Sequence, residues 1–378
     1  MLKWVQSGLS VVAGTAEPEY GPDAIHPITK RCLETSDSED EEGASSIYRA
    51  TVDSDFNWQS PNYTNVETQT FYFTDLINKI AGFAQIIHSN VMGVHTTAQF
   101  TFRLYKDSQE NIWTSTQLDN FRIEGNNFYA DGVSLEIQDG NTYVLNSTVN
   151  KETEVNFTVT RMTDGVIFGK DGMTLYGEDP EQPWGSMRHL FWPRCKLIGT
   201  IKTPTKTYSI DNGLSMFVMA LQGMKPHHAA KSWNYMNFQS ENYSAVTMEF
   251  TTPKSYANTR VNIGIVANNE KILYATINNK VVHLDSSIDE IGWPVPKGIE
   301  FRYIKGDEEV AVVKGDLKNL VERIDVMAEI PQLVKNIVSS VAGAKPYIYQ
   351  YCNEFDFEIE GKKDSGLGFC EVTFICEE

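Results

Sequence analysis

Apolar and polar residues alternate in short stretches through most of this 378-residue chain. Phe71 and Phe73, for example, alternate with Thr70, Tyr72 and Thr74. The same pattern recurs at 100–105, 155–160, 246–250, 261–265, 355–359 and 369–376. A repeat of two is typical of half-buried strands, and Gly, Asn and Asp between the stretches indicate turns. Strands that follow one another without helices predict an all-β protein of antiparallel barrels or sandwiches.

Two regions of the second half depart from this alternation and favour helices. In the first, apolar residues recur at helical spacing, at Leu317, Leu320, Val321, Ile324, Met327 and Ala328. Pro331 then suits the first turn of a following helix, which Gly343 would end. The second region, 214–232, is also expected to be helical. We therefore expect a helical insertion in the second half of the protein.

The first fourteen residues form an amphipathic pattern. At roughly 100° per residue, one side of a helix would carry Leu2, Trp4, Val5, Leu9, Val11, Val12 and Ala13. The polar residues Lys3, Gln6, Ser7 and Ser10 fall on the other side. So wide an apolar face, with a tryptophan on it, is typical of a helix lying in a lipid interface. Residues 1–14 are therefore predicted to bind a membrane surface through Met1, Leu2, Trp4, Val5, Leu9 and Val12.

Two alternatives stay open for this terminal segment. The helix can pack on its own domain instead of on lipid. A signal peptide cleaved near Ala16 is less favoured, because Gln6, Ser7 and Ser10 interrupt its apolar core. Lys3 is the only side-chain cation of the segment, and the net charge of −18 would be repelled by an anionic leaflet. Any membrane binding is therefore expected to depend on apolar burial.

The chain is long enough for two domains of ordinary size. Residues 15–55, punctuated by Pro and Gly, are expected to form an extended linker with an acidic loop at 34–42. The two β domains are expected at 56–200 and 201–378. Ser36 and Ser38 each precede an acid by three residues and are candidate phosphorylation sites, although a solvated linker is the favoured interpretation.

The composition of the chain argues against several classes of protein. With 41% hydrophobic and 22% charged residues the chain is typical of a globular protein, and no apolar run reaches the ~18 residues of a transmembrane helix. The acidic balance argues against nucleic-acid binding, which needs a basic surface. Five scattered cysteines form no disulfide framework and suit a reducing compartment.

Two segments carry the richest candidate chemistry. Residues 183–195 combine two tryptophans, two arginines and a histidine, and residues 214–238 contain four methionines. Methionine adapts to flexible acyl chains, so a barrel mouth lined by aromatics and methionines suits a lipid. The candidate lipid-binding residues are Trp184, Met187, His189, Phe191, Trp192, Met216, Met219, Met224, His227 and Trp233. The alternative for both segments is core packing with a plug at one end of a barrel.

No motif indicates a metal, a cofactor or a catalytic nucleophile. Side chains of the adjacent His227 and His228 diverge on any regular element, and HExxH, CxxC, GxSxG and glycine-rich phosphate motifs are missing from the sequence. We therefore expect no metal, no cofactor and no catalytic residue. An acid–base pair of His189 with a carboxylate stays open.

Ten sequence blocks closely resemble the fungal survival factor 1 family. They run from MLKW at the start to LVERIDVMAEIPQLVKNIVSSVAG, and include AEPEYGPDAIH, NVETQTFYF, PWGSMRHLFWPRC and LQGMKPHHAAKSWNYMNF. The resemblance implies two lipocalin-like β-barrel (calycin) domains in one chain. It also maps the amphipathic helix of the family onto residues 1–14. The acidic block at 34–42 is expected to depart from the sequence pattern of the family. Any regulation that the family has through this loop is therefore in doubt.

The resemblance implies a ceramide-binding protein of sphingolipid metabolism that is not an enzyme. Such a protein would be cytoplasmic, with a nuclear pool left open, and would bind cis-Golgi membranes through its helix with an acetylated Met1. It would move ceramide, or a similar two-chain lipid, without vesicles from endoplasmic reticulum to Golgi. It would also support survival of oxidative stress and starvation. The resemblance implies no binding of nucleic acid, and it assigns no catalytic residue.

Two other functions are weighed against lipid transfer. Paired lipocalin-like domains also resemble hydratases and cyclases of hydrophobic substrates, for which His189, Arg188 and Arg194 are the candidates here. An acid with a shifted pKa inside a greasy cavity would favour that function. A stress-linked scaffold without a ligand would instead show a filled, dry core.

Overall fold

The computed structural model of the chain describes residues 19–35, 47–61, 63–91, 95–106, 111–224, 226–329 and 345–376. Several predictions lie outside these residues: the helix 1–14 with its six membrane-binding residues, the serines at 36 and 38, and the helix from Pro331 to Gly343. The side chain of His227 also lies outside the description.

The first sheet contains fifteen strands of the described chain. They are β1 (Ile25–His26), β2 (Tyr48–Ala50), β3 (Asn65–Asp75), β4 (Ile80–Val91), β5 (His95–Tyr105), β6 (Ile112–Gln117), β7 (Arg122–Glu124), β8 (Asn127–Ala130), β9 (Val133–Gln138), β10 (Thr142–Asn150), β11 (Thr153–Arg161), β12 (Val166–Phe168), β13 (Met173–Tyr176), β14 (Gly185–Lys202) and β15 (Thr207–Gln222). The main order is β6-β5-β4-β3-β15-β14-β11-β10-β9-β8-β7. Asn150 Nδ2 on β10 donates a hydrogen bond to Thr116 Oγ1 on β6 at 3.0 Å, so the sheet curls back on itself after eight strands.

The remaining strands of the described chain follow in sequence. They are β16 (Ser232–Gln239), β17 (Tyr243–Thr251), β18 (Arg260–Asn268), β19 (Ile272–Thr276), β20 (Lys280–Leu284), β21 (Ser287–Ile288), β22 (Pro294–Val295), β23 (Gly298–Lys305), β24 (Glu308–Asp316), β25 (Leu320–Asp325), β26 (Tyr347–Ile359) and β27 (Lys362–Phe374). The second sheet has the order β19-β18-β17-β16-β27-β26-β24-β23-β20, with β25 on β26, and β21 and β22 pair separately. The all-β antiparallel prediction is confirmed.

Helices occupy little of the described chain. The α-helices are α1 (Ile28–Thr35), α2 (Pro226–Ala229) and α3 (Val326–Glu329), and short 3₁₀ helices lie at Pro22–Ala24, Asp53–Phe56 and Lys254–Tyr256. Among the described residues no helix is long and apolar enough to cross a bilayer.

Three groups of buried apolar side chains hold the sheets. The first core lies inside the first sheet and includes Phe71 and Phe157. The second core lies inside the second sheet and includes Phe238. A shared core joins the outer faces of both sheets, with Met216 from the first and Phe369 from the second. Each large apolar side chain removed from water contributes about 1.5–3 kcal/mol, so the shared core stabilises the docking of the two sheets.

The helix predicted at 214–232 is wrong, because β15 continues to Gln222 and α2 adds only four residues. Residues 215–219 are buried without interruption. This strand separates the first core from the shared core, and a strand covered on both faces needs no polar residue at alternate positions. Its continuous apolar run therefore lacks the period of two on which the sequence argument relies.

The helix predicted over 317–328 is also wrong, since residues 320–325 form β25 and only Val326–Glu329 is helical. Leu320 pairs with Tyr351 and Ile324 with Ile348, so the backbone groups of this segment are satisfied by β26. Local apolar spacing is a weak preference, and pairing with an available neighbouring strand overrides it.

The segment expected as an extended linker, 15–55, contributes to the fold over its described part. β1 pairs with β13, and Ile25, Ile28 and Cys32 are buried. The first sheet also extends past the boundary expected near residue 200, because β15 pairs with both β14 and β3. The change from first to second sheet falls between Gln222 and Ser232.

Candidate functional site

Strands β14 and β15 form a wall with a different core on each side. Successive side chains of a strand point to opposite faces. On β14, Leu190 and Trp192 therefore enter the first core, while Met187 and Phe191 enter the shared core. The wall arises because both strands are central in the first sheet and their outer face is covered by the second.

This wall divides the lipid-binding residues predicted from sequence. Trp192 and Met219 lie in the first core. The shared core contains or contacts Trp184, Met187, Phe191, Met216, Met224 and Trp233. His189 joins that second group, because its ring lies 6.0 Å from the Trp233 ring. The structure thus brings seven of the candidates to one side of the wall and two to the other.

Part of the shared core is not closed. Tyr72 contacts rings from both sheets, at 5.5 Å from Phe83, and at 5.3 Å from both Tyr235 and Phe369, yet it stays partly exposed. Other partly exposed residues on facing strands are His189, Ala220, Trp233 and Glu371. We call the space bordered by Tyr72, His189, Ala220, Trp233 and Glu371 the intersheet cleft.

A polar group lies at the Glu371 end of the intersheet cleft. Tyr105 Oη donates a hydrogen bond to Gln350 Oε1 at 3.0 Å, and Gln350 Nε2 donates one to Glu371 Oε2 at 2.9 Å. Burial raises the pKa of the Glu371 carboxyl above its usual 4.5, and the hydrogen bond from Gln350 and the charge of Arg103 oppose that rise. An amide and a carboxyl therefore face an otherwise aromatic surface.

A surface groove of about 1170 Å³ includes Tyr105 of this polar group in its lining. Tyr105 and Cys352, which both belong to the shared core, are among its buried lining residues. Lys79 and Glu354 line its rim and form an ion pair at 3.2 Å. Tyr105, which donates to Gln350, therefore belongs both to the lining of this groove and to the polar group of the intersheet cleft. A larger concavity of about 1220 Å³ lies on the charged outer face of the second sheet and contains none of the predicted residues.

The three residues weighed as catalytic candidates do not converge. Arg188 donates to the Asp55 carbonyl oxygen at 2.9 Å, and Arg194 donates to Gln239 Oε1 at 3.0 Å. His189 borders the intersheet cleft, whereas Arg188 points to the opposite face of β14 and Arg194 reaches the turns of the second sheet. Burial, helped by the charge of Arg188, lowers the pKa of His189 from 6.5 to about 4. A neutral imidazole at pH 7 is a poor general acid.

Sequence reasoning missed Tyr72, Gln350 and Glu371. Tyr72 was assigned to the polar face of its strand by alternation. A bulky aromatic residue on that face was the available signal, because it indicates that the face is covered. Gln350 and Glu371 carry no local signal, since only the pairing of β26 with β27 places them opposite each other. Within the described ranges no group of three or more His, Cys, Asp or Glu side chains suits a metal ion.

Comparison with known proteins identifies the relatives of this chain. The profile of the Svf1 family matches residues 2–376. The chain belongs to the Svf1 family. A protein of Candida albicans is 67% identical over the full length of both chains, and one of Debaryomyces hansenii is 60% identical, also over full length. Both relatives are named ceramide-binding protein SVF1. The resemblance noted in the sequence is confirmed.

Solved structures share the fold of this Svf1 family member. Kievitone hydratase from Nectria haematococca matches with a TM-score of 0.58 at 15% identity, covering 87% of this chain and 94% of its own. A putative AttH protein from Nitrosomonas europaea also gives 0.58, at 10% identity, covering 86% and 97%. CghA with Sch210972 gives 0.55 at 10% identity, covering 88% and 99%. At these identities the likeness concerns the fold alone.

Proposed function

We propose that this chain binds ceramide in the intersheet cleft and carries it between the endoplasmic reticulum and the Golgi. The observation that carries the proposal is the Gln350–Glu371 polar group set among the aromatic rings of the shared core. The names of the full-length relatives support ceramide as the ligand.

The chemistry of the intersheet cleft suits this lipid. Ceramide is uncharged and joins an amide and hydroxyl groups to two long chains. Gln350 and Glu371 offer donors and acceptors to the polar head. Trp233, Tyr72 and Met224, which pack against the shared core and stay partly exposed, offer an adaptable apolar surface to the chains. Because exposing a chain to water costs ~0.8 kcal/mol per CH₂, a covered cleft lowers the barrier to transfer between membranes.

Docking to membranes belongs to the same proposal. The amphipathic sequence of residues 1–14 would bind reversibly to the lipid interface, with Met1 acetylated. Reversible docking at the cis-Golgi is what a carrier needs, because cargo must leave with the protein. A role in surviving oxidative stress and starvation would then follow from altered ceramide supply.

The proposal is tested with a substitution that fills the intersheet cleft. Ala220 is small, lies on the cleft side of β15, and pairs with His189, so Ala220→Trp would occupy the space of the lipid. Ser209→Trp, on an exposed position of the same strand, is the control. Ceramide that copurifies with each full-length variant is measured by mass spectrometry. We expect Ala220→Trp to retain about tenfold less ceramide than the control. A folded Ala220→Trp with its full load of ceramide would refute the cleft as the site.

Glu371 favours one second candidate function. Burial raises the pKa of the Glu371 carboxyl and so favours its protonated form, and a protonated carboxyl in an apolar cleft is the group that a hydratase or cyclase of hydrophobic substrates needs. Glu371→Gln separates the two functions. A carrier keeps its lipid when the carboxyl becomes an amide, whereas an enzyme would lose turnover of a hydrophobic alkene substrate.

A further inference from the structure

Exposed apolar side chains lie around one groove of the structure. Ten large apolar side chains are exposed among the described residues, and single ones are ordinary on a protein surface. One of the ten lines the groove of about 1170 Å³ that contains Tyr105, and three more lie beside it. We call these four the apolar rim: Leu284, Ile77, Leu320 and Trp113.

Both sheets contribute to the apolar rim. Ile77 is 81% exposed in the turn after β3, two residues before Lys79, which lines the groove. Leu320 begins β25 and directly follows Asn319, another lining residue. The rim therefore crosses the junction between the first and the second sheet.

Trp113 on β6 extends the apolar rim. Its ring lies 4.5 Å from the guanidinium of Arg103, which forms an ion pair at 3.2 Å with Glu322, two residues beyond Leu320. Arg103 and Tyr105 leave the same face of β5, because they are two residues apart on one strand. Tryptophan and large aliphatic side chains are the residues that enter the interface of a bilayer.

The charges of the groove balance. Four lysines and four carboxylates line it. Lys79 pairs with Glu354 at 3.2 Å and Lys318 pairs with Asp316 at 2.6 Å, and all four side chains are more than half exposed. By contrast, seven carboxylates and four cations line the larger concavity on the outer face of the second sheet. In a chain of net charge −18, the groove is thus the less acidic of these two surfaces.

A zwitterionic bilayer fits this combination of side chains. A phosphatidylcholine headgroup joins a phosphate to a quaternary ammonium, so exposed ammonium and carboxylate groups in pairs complement both of its charges. Lysine stems also let an ammonium reach the headgroups from an apolar surface. We propose that the groove and its apolar rim form a second membrane-contact surface, on the folded body of the protein and separate from residues 1–14. Its partner is the surface of a zwitterionic bilayer.

A second contact would orient the carrier, and in this respect the inference rests on the proposed function. A single terminal segment leaves the body free to turn above the bilayer, whereas a second contact fixes the face that meets the lipid. Tyr105 lines the groove and donates to Gln350, so that face carries part of the polar group of the intersheet cleft. Lipid exchange should be faster when this face rests on the membrane.

The contact itself is tested with vesicles of phosphatidylcholine that contain no ceramide. The full-length chain carries Leu2→Asp and Leu9→Asp as a background, so that the first fourteen residues do not conceal binding by the groove. Ile77→Asp with Leu320→Asp is then added. We expect the partition onto vesicles, measured by flotation at high lipid concentration, to fall about tenfold or more. Keeping even one such side chain out of the bilayer has an effect of this size.

Leu33→Asp with Val52→Asp is the matched control in the same background. It adds the same charge at two exposed apolar positions that are not among the described residues lining the groove, and it should bind like the background. Phosphatidylserine in the vesicles should not raise the partition, because the chain is acidic. The inference is overturned by equal partition of the two double variants, or by a background chain that does not bind the vesicles at all.

A transfer assay separates this inference from the proposed function. In the otherwise unchanged chain, Ile77→Asp with Leu320→Asp should copurify with the wild-type amount of ceramide. It should deliver that ceramide between phosphatidylcholine vesicles about tenfold more slowly. A wild-type rate, or loss of bound ceramide from the folded variant, would overturn the orienting contact. Absence of ceramide from the wild-type protein would instead refute the proposed function, and vesicle flotation alone would then decide the membrane contact.

Discussion

The guanidinium group of Arg194 donates two hydrogen bonds to the side-chain oxygen of Asn269, from Nε at 3.0 Å and from Nη2 at 2.6 Å. It also donates to the carbonyl oxygens of Ser240 at 2.9 Å and Glu241 at 2.7 Å. Arg194 is 0% exposed and lies on β14, whereas its partners lie in turns of the second sheet. One buried side chain thus connects the two sheets beside the shared core.

Replacing Arg194 should destabilise the protein strongly. Arg194→Met keeps most of the stem but removes the donor from two buried oxygens, Gln239 Oε1 and the Ser240 carbonyl, and from partly buried acceptors in the same turns, so the free energy of unfolding should fall by about 3 kcal/mol or more. Lys196→Met, at an exposed position of the same strand, should change it by less than about 0.5 kcal/mol. Urea unfolding of both variants measures the difference. If the two variants were equally stable, Arg194 would not stabilise the docking of the two sheets.

His189 should make stability depend on pH in the acid range. Its pKa is about 4 in the folded protein, below the ordinary 6.5, so the unfolded chain binds the proton more readily between these values. The free energy of unfolding should therefore fall as pH decreases from 6.5 towards 4, by about 2–3 kcal/mol from this residue. His189→Gln should remove that part of the slope, whereas His95→Gln, at an exposed position, should retain it. Thermal unfolding across this pH range measures the difference. If stability falls equally with decreasing pH in both variants, His189 is not the residue responsible.

The amphipathic segment should control membrane recruitment. Leu2→Asp with Leu9→Asp places two charges on the apolar face, and each lost leucine removes about 1.5–3 kcal/mol of binding. We expect the tagged double variant to leave Golgi membranes in cells while its far-ultraviolet circular dichroism stays unchanged. Gln6→Asp with Ser10→Asp carries the same added charge on the polar face and should stay bound. A Leu2/Leu9 variant that remains on membranes would exclude this mode of docking.

The fold class could be predicted because most strands have one covered and one solvated face. Phe71 and Phe73 alternate with polar neighbours, and they lie in β3 as expected. The prediction failed where a strand is covered on both faces, as in β15 around Met216. It failed again at β25, where pairing of Leu320 with Tyr351 overrides helical spacing.

The candidate site was predicted only in part. Aromatic and methionine enrichment identified the segments that contain Phe191 and Met216, but not the side of the wall on which each residue lies. The β14–β15 pair places Trp192 in one core and Phe191 in another. Glu371 could not be found, because its environment combines Gln350 of the neighbouring strand with Tyr105 and Tyr235, which lie more than a hundred residues away along the chain.

By itself, the sequence determined the alternation that makes β-strands, the amphipathic first fourteen residues and membership of the Svf1 family. These properties are local, or are preserved in blocks of neighbouring residues. Only the tertiary structure decided which strands pair, which face of β14 meets the second sheet, and which polar atoms are buried together. The physical reason is that a strand has two faces, and burial of each depends on partners distant in the chain.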